Sequence, residues 1–146
     1  MFLLAHIAAG LIIGKATGNY PVSLIGAVAI DVDHTLSYFR NVILFKPKKI
    51  IAAIKDENDP WGDQRGFLHN VFLWMAITIA IYLFMPSDWL ALSLGYLSHL
   101  ILDALDNAVF YPFYPSKKIG FLGPIKYFSL QETAFTAFLF IIFLTI

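Results

Sequence analysis

The residues with the clearest chemical potential in this sequence are histidines and aspartates that recur at helical spacing. His99 and Asp103 are four residues apart, which places both side chains on one face of an α-helix, and Asp106 returns to that face. Imidazoles and carboxylates are nitrogen and oxygen ligands of divalent transition metals. The spacing therefore predicts that His99 and Asp103 bind a metal as a pair.

Three other short blocks carry the same ligand types. Asp31 and His34 are three residues apart, Arg65 and His69 are four apart, and His6 interrupts an apolar run near the start of the chain. The chain has no cysteine, so a thiolate site is excluded. The candidate metal ligands are His6, Asp31, Asp33, His34, His69, His99 and Asp103.

These donors are more than one four-coordinate ion with an open position needs, so we expect two metal ions. Paired ions suit phosphoester hydrolysis, because they activate water and neutralise the leaving oxygen. Asp31 or Asp103 is the candidate bridging carboxylate. We expect Arg65 to bind a phosphoryl oxygen and Asp106 either to orient His99 or to act as a base. The ligand types favour zinc or manganese, with iron as a further candidate.

The composition indicates a membrane protein. Hydrophobic residues make up 59% of the 146 residues, charged residues only 14%, and the mean hydropathy is +0.72. Soluble domains have roughly 45 to 50% apolar and about 25% charged residues. Ten basic and ten acidic residues give no net charge, so nucleic acid is not an expected partner. The length fits a single domain over residues 1–146.

Five apolar segments predict the fold class, an all-α membrane bundle of about five helices, some of them short or partly embedded. The segments are residues 2–14, 22–30, 67–85, 89–105 and 127–146, and the stretch 35–64 between the second and third is polar and partly amphipathic. No basic residue precedes the first segment and His6 lies inside it, so we interpret it as a retained helix and not as a signal peptide.

The basic residues predict the orientation in the membrane. If the five segments alternate in direction, Lys15 is alone on one side and the other nine basic residues share the opposite side. The positive-inside rule then puts the amino terminus and the metal site at the cytoplasmic face of the inner membrane, and the carboxyl terminus outside. All the candidate ligands fall near that same face.

Small residues predict where the helices approach each other closely. Gly10 and Gly14 share the helix face of His6, Gly26 lies on the second segment and Gly95 on the fourth. Small residues let membrane helices pack closely, as a compact site requires.

The order of these blocks resembles that of the predicted inner-membrane metal-dependent hydrolases. The matching motifs are His6, Asp-Val-Asp-His at 31–34, Arg-Gly-Phe-Leu-His at 65–69 and Gly-Tyr-Leu-Ser-His followed by Asp at 95–103. The resemblance implies a helical, membrane-embedded hydrolase with His and Asp as metal ligands. The sequence departs from the family pattern at three positions, Ile30, Gln64 and Asn70.

The sequence thus favours a metal-dependent hydrolase whose partners are membrane lipid and a small-molecule or lipid substrate. Two other functions remain open. A proton or metal-ion transporter also needs buried Asp and His residues, but at several depths, whereas these cluster at one. A noncatalytic adaptor with a structural metal would have a closed coordination shell. The sequence does not predict the oligomeric state.

Overall fold

The computed structural model describes residues 1–55 and 65–146; Gln64 and the acidic residues just before it lie outside these ranges. The described part of the chain contains helices but no β-strand, which confirms the all-α class. The helices are α1 (Leu3–Thr17), α2 (Tyr20–Val28), α3 (Val32–Arg40), α4 (Pro47–Lys55), α5 (Val71–Phe84), α6 (Trp89–Leu105) and α7 (Leu130–Thr145). A 3-10 turn, Ala29–Asp31, joins α2 to α3. None of the helices in residues 1–55 and 65–146 combines the length and the apolar character that crossing a membrane requires.

Polar and glycine residues set the ends of the helices. Gly18 ends α1 in a left-handed conformation (φ 74°), which glycine adopts without steric cost, and the Asn19 side chain then caps α2. The Asn70 side chain accepts hydrogen bonds from two amides of the first turn of α5, so this helix begins at Val71 and not at residue 67. Ser129 caps α7 in the same way.

The stretch 35–64 is more helical than its polar composition indicates. α3 and α4 occupy most of its described part and pack against each other through Tyr38, Ile43 and Ala53. Pro47 is the first residue of α4. An N–H at that position has no partner within the helix, so its absence in proline costs no helical hydrogen bond. The two helices form an appended hairpin beside the bundle.

The centre of the bundle is the close contact between α2 and α6. A Cβ atom added to Gly26 would lie 2.4 Å from the carbonyl oxygen of Leu92, and one added to Gly95 would lie 2.4 Å from that of Ser23. The backbones of the two helices therefore touch directly. On α1, a Cβ atom added to Gly10 would lie 3.0 Å from the Cβ of Ala27, so α1 also packs closely on α2. The predicted close approach at small residues is confirmed.

An extended segment follows α6 and returns to the bundle. Asp106 pairs with Ile125 in a parallel bridge, and Phe110 pairs with Phe121 through two backbone hydrogen bonds of 2.8 Å. The amide of Gly123 also donates to the carbonyl of Asp106 (2.8 Å). These contacts fix Asp106 immediately beyond the end of α6.

The outward-facing surface of the bundle is strongly apolar. α5 contains no buried residue although it is almost entirely hydrophobic, and Phe84 and Leu144 are 82% and 75% exposed. Apolar surface of this extent marks a contact with lipid or with another protein.

The contact between α2 and α6 generates a stability prediction. We expect Gly95→Ala to destabilise the protein by about 1 to 3 kcal/mol, because its new methyl group would collide with backbone that cannot rotate away. Gly18→Ala is the matched control, since a Cβ there meets open space and only the left-handed backbone is strained, at about 1 kcal/mol. Thermal unfolding of the purified variants followed by circular dichroism measures both. Equal melting temperatures for the two variants would contradict the packing described.

Candidate metal centre

The four histidines lie together in the folded chain although they are far apart in sequence. His6 comes from α1, His34 from α3, His69 from the turn before α5 and His99 from α6. The rings of His6 and His99 stack with centroids 4.0 Å apart, and the His69 ring lies 5.1 Å from that of His99 and 5.5 Å from that of His34. The structure thus brings all four imidazoles into one cluster.

The Asp103 carboxylate lies at the centre of this cluster. One oxygen, Oδ1, is 3.4 Å from His6 Nε2. The other, Oδ2, is 3.2 Å from His69 Nε2 and 3.7 Å from His99 Nε2. The side chain is only 2% exposed, so a single buried carboxylate contacts three imidazoles.

Asp31 and His34 form the open side of the cluster. Asp31 Oδ1 lies 3.5 Å from His34 Nε2 and 3.6 Å from His99 Nε2. The two side chains are 28% and 27% exposed, whereas His6, His69 and His99 are completely buried. A ligand can therefore approach the cluster beside Asp31 and His34.

A backbone carbonyl fixes the orientation of His99. His99 Nδ1 lies 2.7 Å from the carbonyl oxygen of Ala27, which can only accept, so Nδ1 carries the proton. Nε2 is left with a lone pair, and it lies 3.2 Å from His69 Nε2. At this distance His69 Nε2 can donate a hydrogen bond to the His99 lone pair, and a metal ion could take the place of that proton. Backbone carbonyls commonly hold metal-binding histidines in this way.

Asp33 contacts His69 on the ring edge away from Asp103. Its Oδ2 is 3.2 Å from His69 Nδ1 and accepts a hydrogen bond from the Leu68 amide (2.6 Å). These are the described contacts of Asp33, and they link it to the histidine cluster only through His69. The sequence predicts Asp33 as a direct metal ligand. These contacts instead favour a carboxylate that orients His69.

Arg65 binds two carboxylates and a carbonyl. Its Nε is 3.2 Å from Asp103 Oδ2, its Nη2 is 2.7 Å from Asp106 Oδ2, and its Nη1 donates to Ala108 O (2.8 Å). Burial opposes the charge of the guanidinium, but Asp103 and Asp106 outweigh that effect and raise the pKa of Arg65 above its usual value. The α-ammonium group of Met1 contacts the same two carboxylates at 2.8 and 2.7 Å.

Asp106 is joined to Arg65 and not to His99. Within the described residues we find no ion pair or hydrogen bond between Asp106 and His99. The Ala27 carbonyl orients the imidazole instead. Sequence reasoning missed Ala27 because a backbone carbonyl leaves no signal in the residue type.

The donor set fits a divalent cation. Three overlapping groups have ligand atoms within 4.8 Å of one another: His6, Asp31 and His99; Asp31, His34 and His69; His69, His99 and Asp103. Both ring nitrogens of His6 and Nδ1 of His34 are buried and make no hydrogen bond within the described part of the chain. Burial lowers the pKa of His34 to about 3, with a further contribution from His69, so this imidazole is neutral and able to bind metal at pH 7.

The chain is an all-helical bundle with an apolar surface and a buried cluster of His and Asp residues. These are features of a membrane-associated protein with a candidate metal site. The chain belongs to the YdjM inner membrane protein family, which matches residues 1–146. No curated protein and no solved structure matches the chain. The family supports the predicted inner-membrane location, while hydrolytic activity and membrane topology are taken up as proposals below.

The geometry predicts that divalent metal stabilises the fold. Adding zinc or manganese to chelator-treated protein should raise its melting temperature, because an ion at 100 times its dissociation constant contributes about 2.7 kcal/mol. Asp103→Asn should abolish this shift, because the central carboxylate loses its charge. The matched control is Asp88→Asn at the start of α6, where the carboxylate binds only Asn19 among the described residues. An equal metal-dependent shift in both variants would place the metal elsewhere.

Proposed function

We propose that this protein is a membrane-bound metal-dependent hydrolase that acts on phosphoester or phospholipid-like substrates. The observation that supports this proposal is the cluster around Asp103. Buried imidazoles and carboxylates converge there, and of the cluster only Asp31 and His34 reach the surface. A ligand set that is buried on one side and open on the other suits catalysis, whereas a structural site is normally closed by protein ligands.

The residues that would hold metal are the members of the three overlapping groups. Zinc or manganese suits these ligands best, and iron is a further candidate. Two ions are favoured because Asp31 lies between His34 and His99, while the two oxygens of Asp103 face different histidines. Either carboxylate could bridge a pair of ions. When bound, such ions supply Lewis-acid activation of water and of a phosphoryl oxygen.

The remaining polar residues would position this ligand set. Asp33 would hold His69 through Nδ1, in the manner of the carboxylate–histidine pairs found around many metals. Arg65 would hold Asp103 and partly neutralise it, with Asp106 anchoring the guanidinium. Direct binding of an anionic substrate by Arg65 would require it to exchange one of these partners, so we propose it and Asp106 first as positioning residues.

The apolar surroundings support an amphiphilic substrate. The family is an inner membrane family, and the outward faces of α5 and α7 are apolar. A cavity of about 310 Å³ lies beside the buried Glu132, and its lining includes Phe2, Leu4, Phe128 and Phe140 together with two threonines of α7. Its volume is at the lower end of the range of ligand pockets. Hydrocarbon chains are the ligands that such a lining favours.

We extend the proposal to the topology of the chain. The five apolar segments, which overlap α1, α2, α5, α6 and α7, would lie in the inner membrane with the amino terminus and the candidate metal centre at the cytoplasmic face. The support is the distribution of basic residues: if the five segments alternate in direction, nine of them share that side and Lys15 lies opposite.

Activity assays on metal-loaded full-length protein test the proposed function. We expect zinc- or manganese-dependent turnover of a phosphomonoester, a phosphodiester, a phospholipid or an amide in detergent. His99→Ala should remove metal and activity together. Asp33→Asn should lower metal affinity or activity by roughly 10 to 100-fold, because it weakens the orientation of a ligand without removing one.

Two further variants separate metal binding from positioning. Arg65→Lys should retain metal, because it keeps the charge beside Asp103, but lower kcat, because an ammonium cannot reproduce the planar fork. Asp88→Asn, remote from the centre, should behave as the unmodified protein. A coordination shell saturated by protein ligands, or activity that survives His99→Ala, would overturn the hydrolase assignment.

A further inference from the structure

An exposed surface that is both apolar and basic lies on the hairpin formed by α3 and α4. We call it the α3–α4 surface. Its apolar members are 66, 71 and 91% exposed, and its basic members are exposed as well. The apolar members are Phe39, Val42 and Phe45, and the basic members are Arg40, Lys46, Lys48 and Lys49.

The turn between the two helices displays Val42 at a conformational cost. Val42 has φ 56°, a left-handed conformation that a β-branched residue adopts only with strain. The amide of Ile43 donates to Tyr38 O (2.9 Å), so the turn directs Ile43 inward while Val42 faces out. Glycine or asparagine would make the same turn without this strain. The turn therefore exposes an apolar side chain at a position where a smaller or polar residue would fit with less strain.

The charge of this stretch indicates what it contacts. Residues 35–55 contain five basic and no acidic side chains, and the acidic residues begin at Asp56, outside the described residues. Exposed aromatic side chains interspersed with lysine and arginine are typical of segments that lie in the headgroup region of anionic membranes. An acidic protein would satisfy the lysines, but it would not by itself account for three exposed apolar side chains.

We propose that the α3–α4 surface docks on the anionic lipid headgroups of the bilayer, with Phe39, Val42 and Phe45 inserted at headgroup level. The surface begins at Phe39, near the end of the helix whose first turn carries His34, and Asp31 immediately precedes that helix. Docking would hold this helix next to lipid. The proposal concerns lipid attachment alone and does not depend on metal binding or catalysis.

The absence of cysteine from the sequence allows a direct test with single labels. Full-length Phe45→Cys carrying an environment-sensitive fluorophore is reconstituted into phosphatidylcholine vesicles or equimolar phosphatidylcholine and phosphatidylglycerol vesicles containing a headgroup-labelled quencher lipid. We expect a blue-shifted emission and strong quenching only with the anionic lipid. Salt at about 1 M, where the Debye length is about 3 Å, should reverse both effects.

Charge removal provides the decisive comparison. Each basic side chain near an anionic surface strengthens attachment roughly fivefold, so changing Lys46, Lys48 and Lys49 to Gln should weaken docking about 100-fold. A label at Val42→Cys gives a second reporter on the same surface. The matched control is Leu144→Cys, exposed at the far end of α7, whose quenching should not depend on lipid charge.

Three outcomes would overturn the proposal. The first is equal quenching of the Phe45→Cys label in zwitterionic and anionic vesicles. The second is quenching unaffected by the three Lys→Gln changes. The third is a label that becomes less accessible to the quencher lipid as protein concentration rises at fixed lipid composition. That result would show that a second copy of the chain covers this surface.

Discussion

The structure depends on the burial of one charge, the carboxylate of Asp103, inside an apolar bundle. A buried charge is tolerated only when cations and hydrogen-bond donors surround it. Here Arg65, His69 and His99 contact Oδ2. His6 and the Met1 ammonium contact Oδ1. Because these groups come from α1, α6 and the turn before α5, satisfying the one carboxylate also fixes how these parts of the chain meet.

Close backbone contact makes this arrangement possible. Gly26 and Gly95 let α2 and α6 touch, and that contact brings the Ala27 carbonyl within 2.7 Å of His99 Nδ1. The carbonyl then leaves Nε2 free to face Asp31, Asp103 and His69. A side chain at either glycine would push the two helices apart and so move His99 away from the Ala27 carbonyl. The contact at these glycines therefore determines both how the helices pack and how His99 is oriented.

Much of the fold and the clustering of the candidate ligands was predictable, because periodicity and residue type carry that information. The predicted segment 89–105 coincides with α6, and all four histidines meet as expected. The start of α5 was not predictable from hydropathy, since the cap at Asn70 competes with an apolar run that begins earlier. The pairing of Asp106 with Arg65 and the role of Ala27 depend on tertiary contacts that spacing along one helix cannot reveal.

X-ray absorption at the metal edge of the purified, zinc-loaded protein tests the central claim most directly, because it reports the ligands themselves. The account predicts a shell of nitrogen and oxygen only, with clear imidazole scattering that diminishes in His69→Ala. A shell without imidazole, or a spectrum unchanged by His69→Ala, would contradict the assignment of the His and Asp cluster as the metal centre.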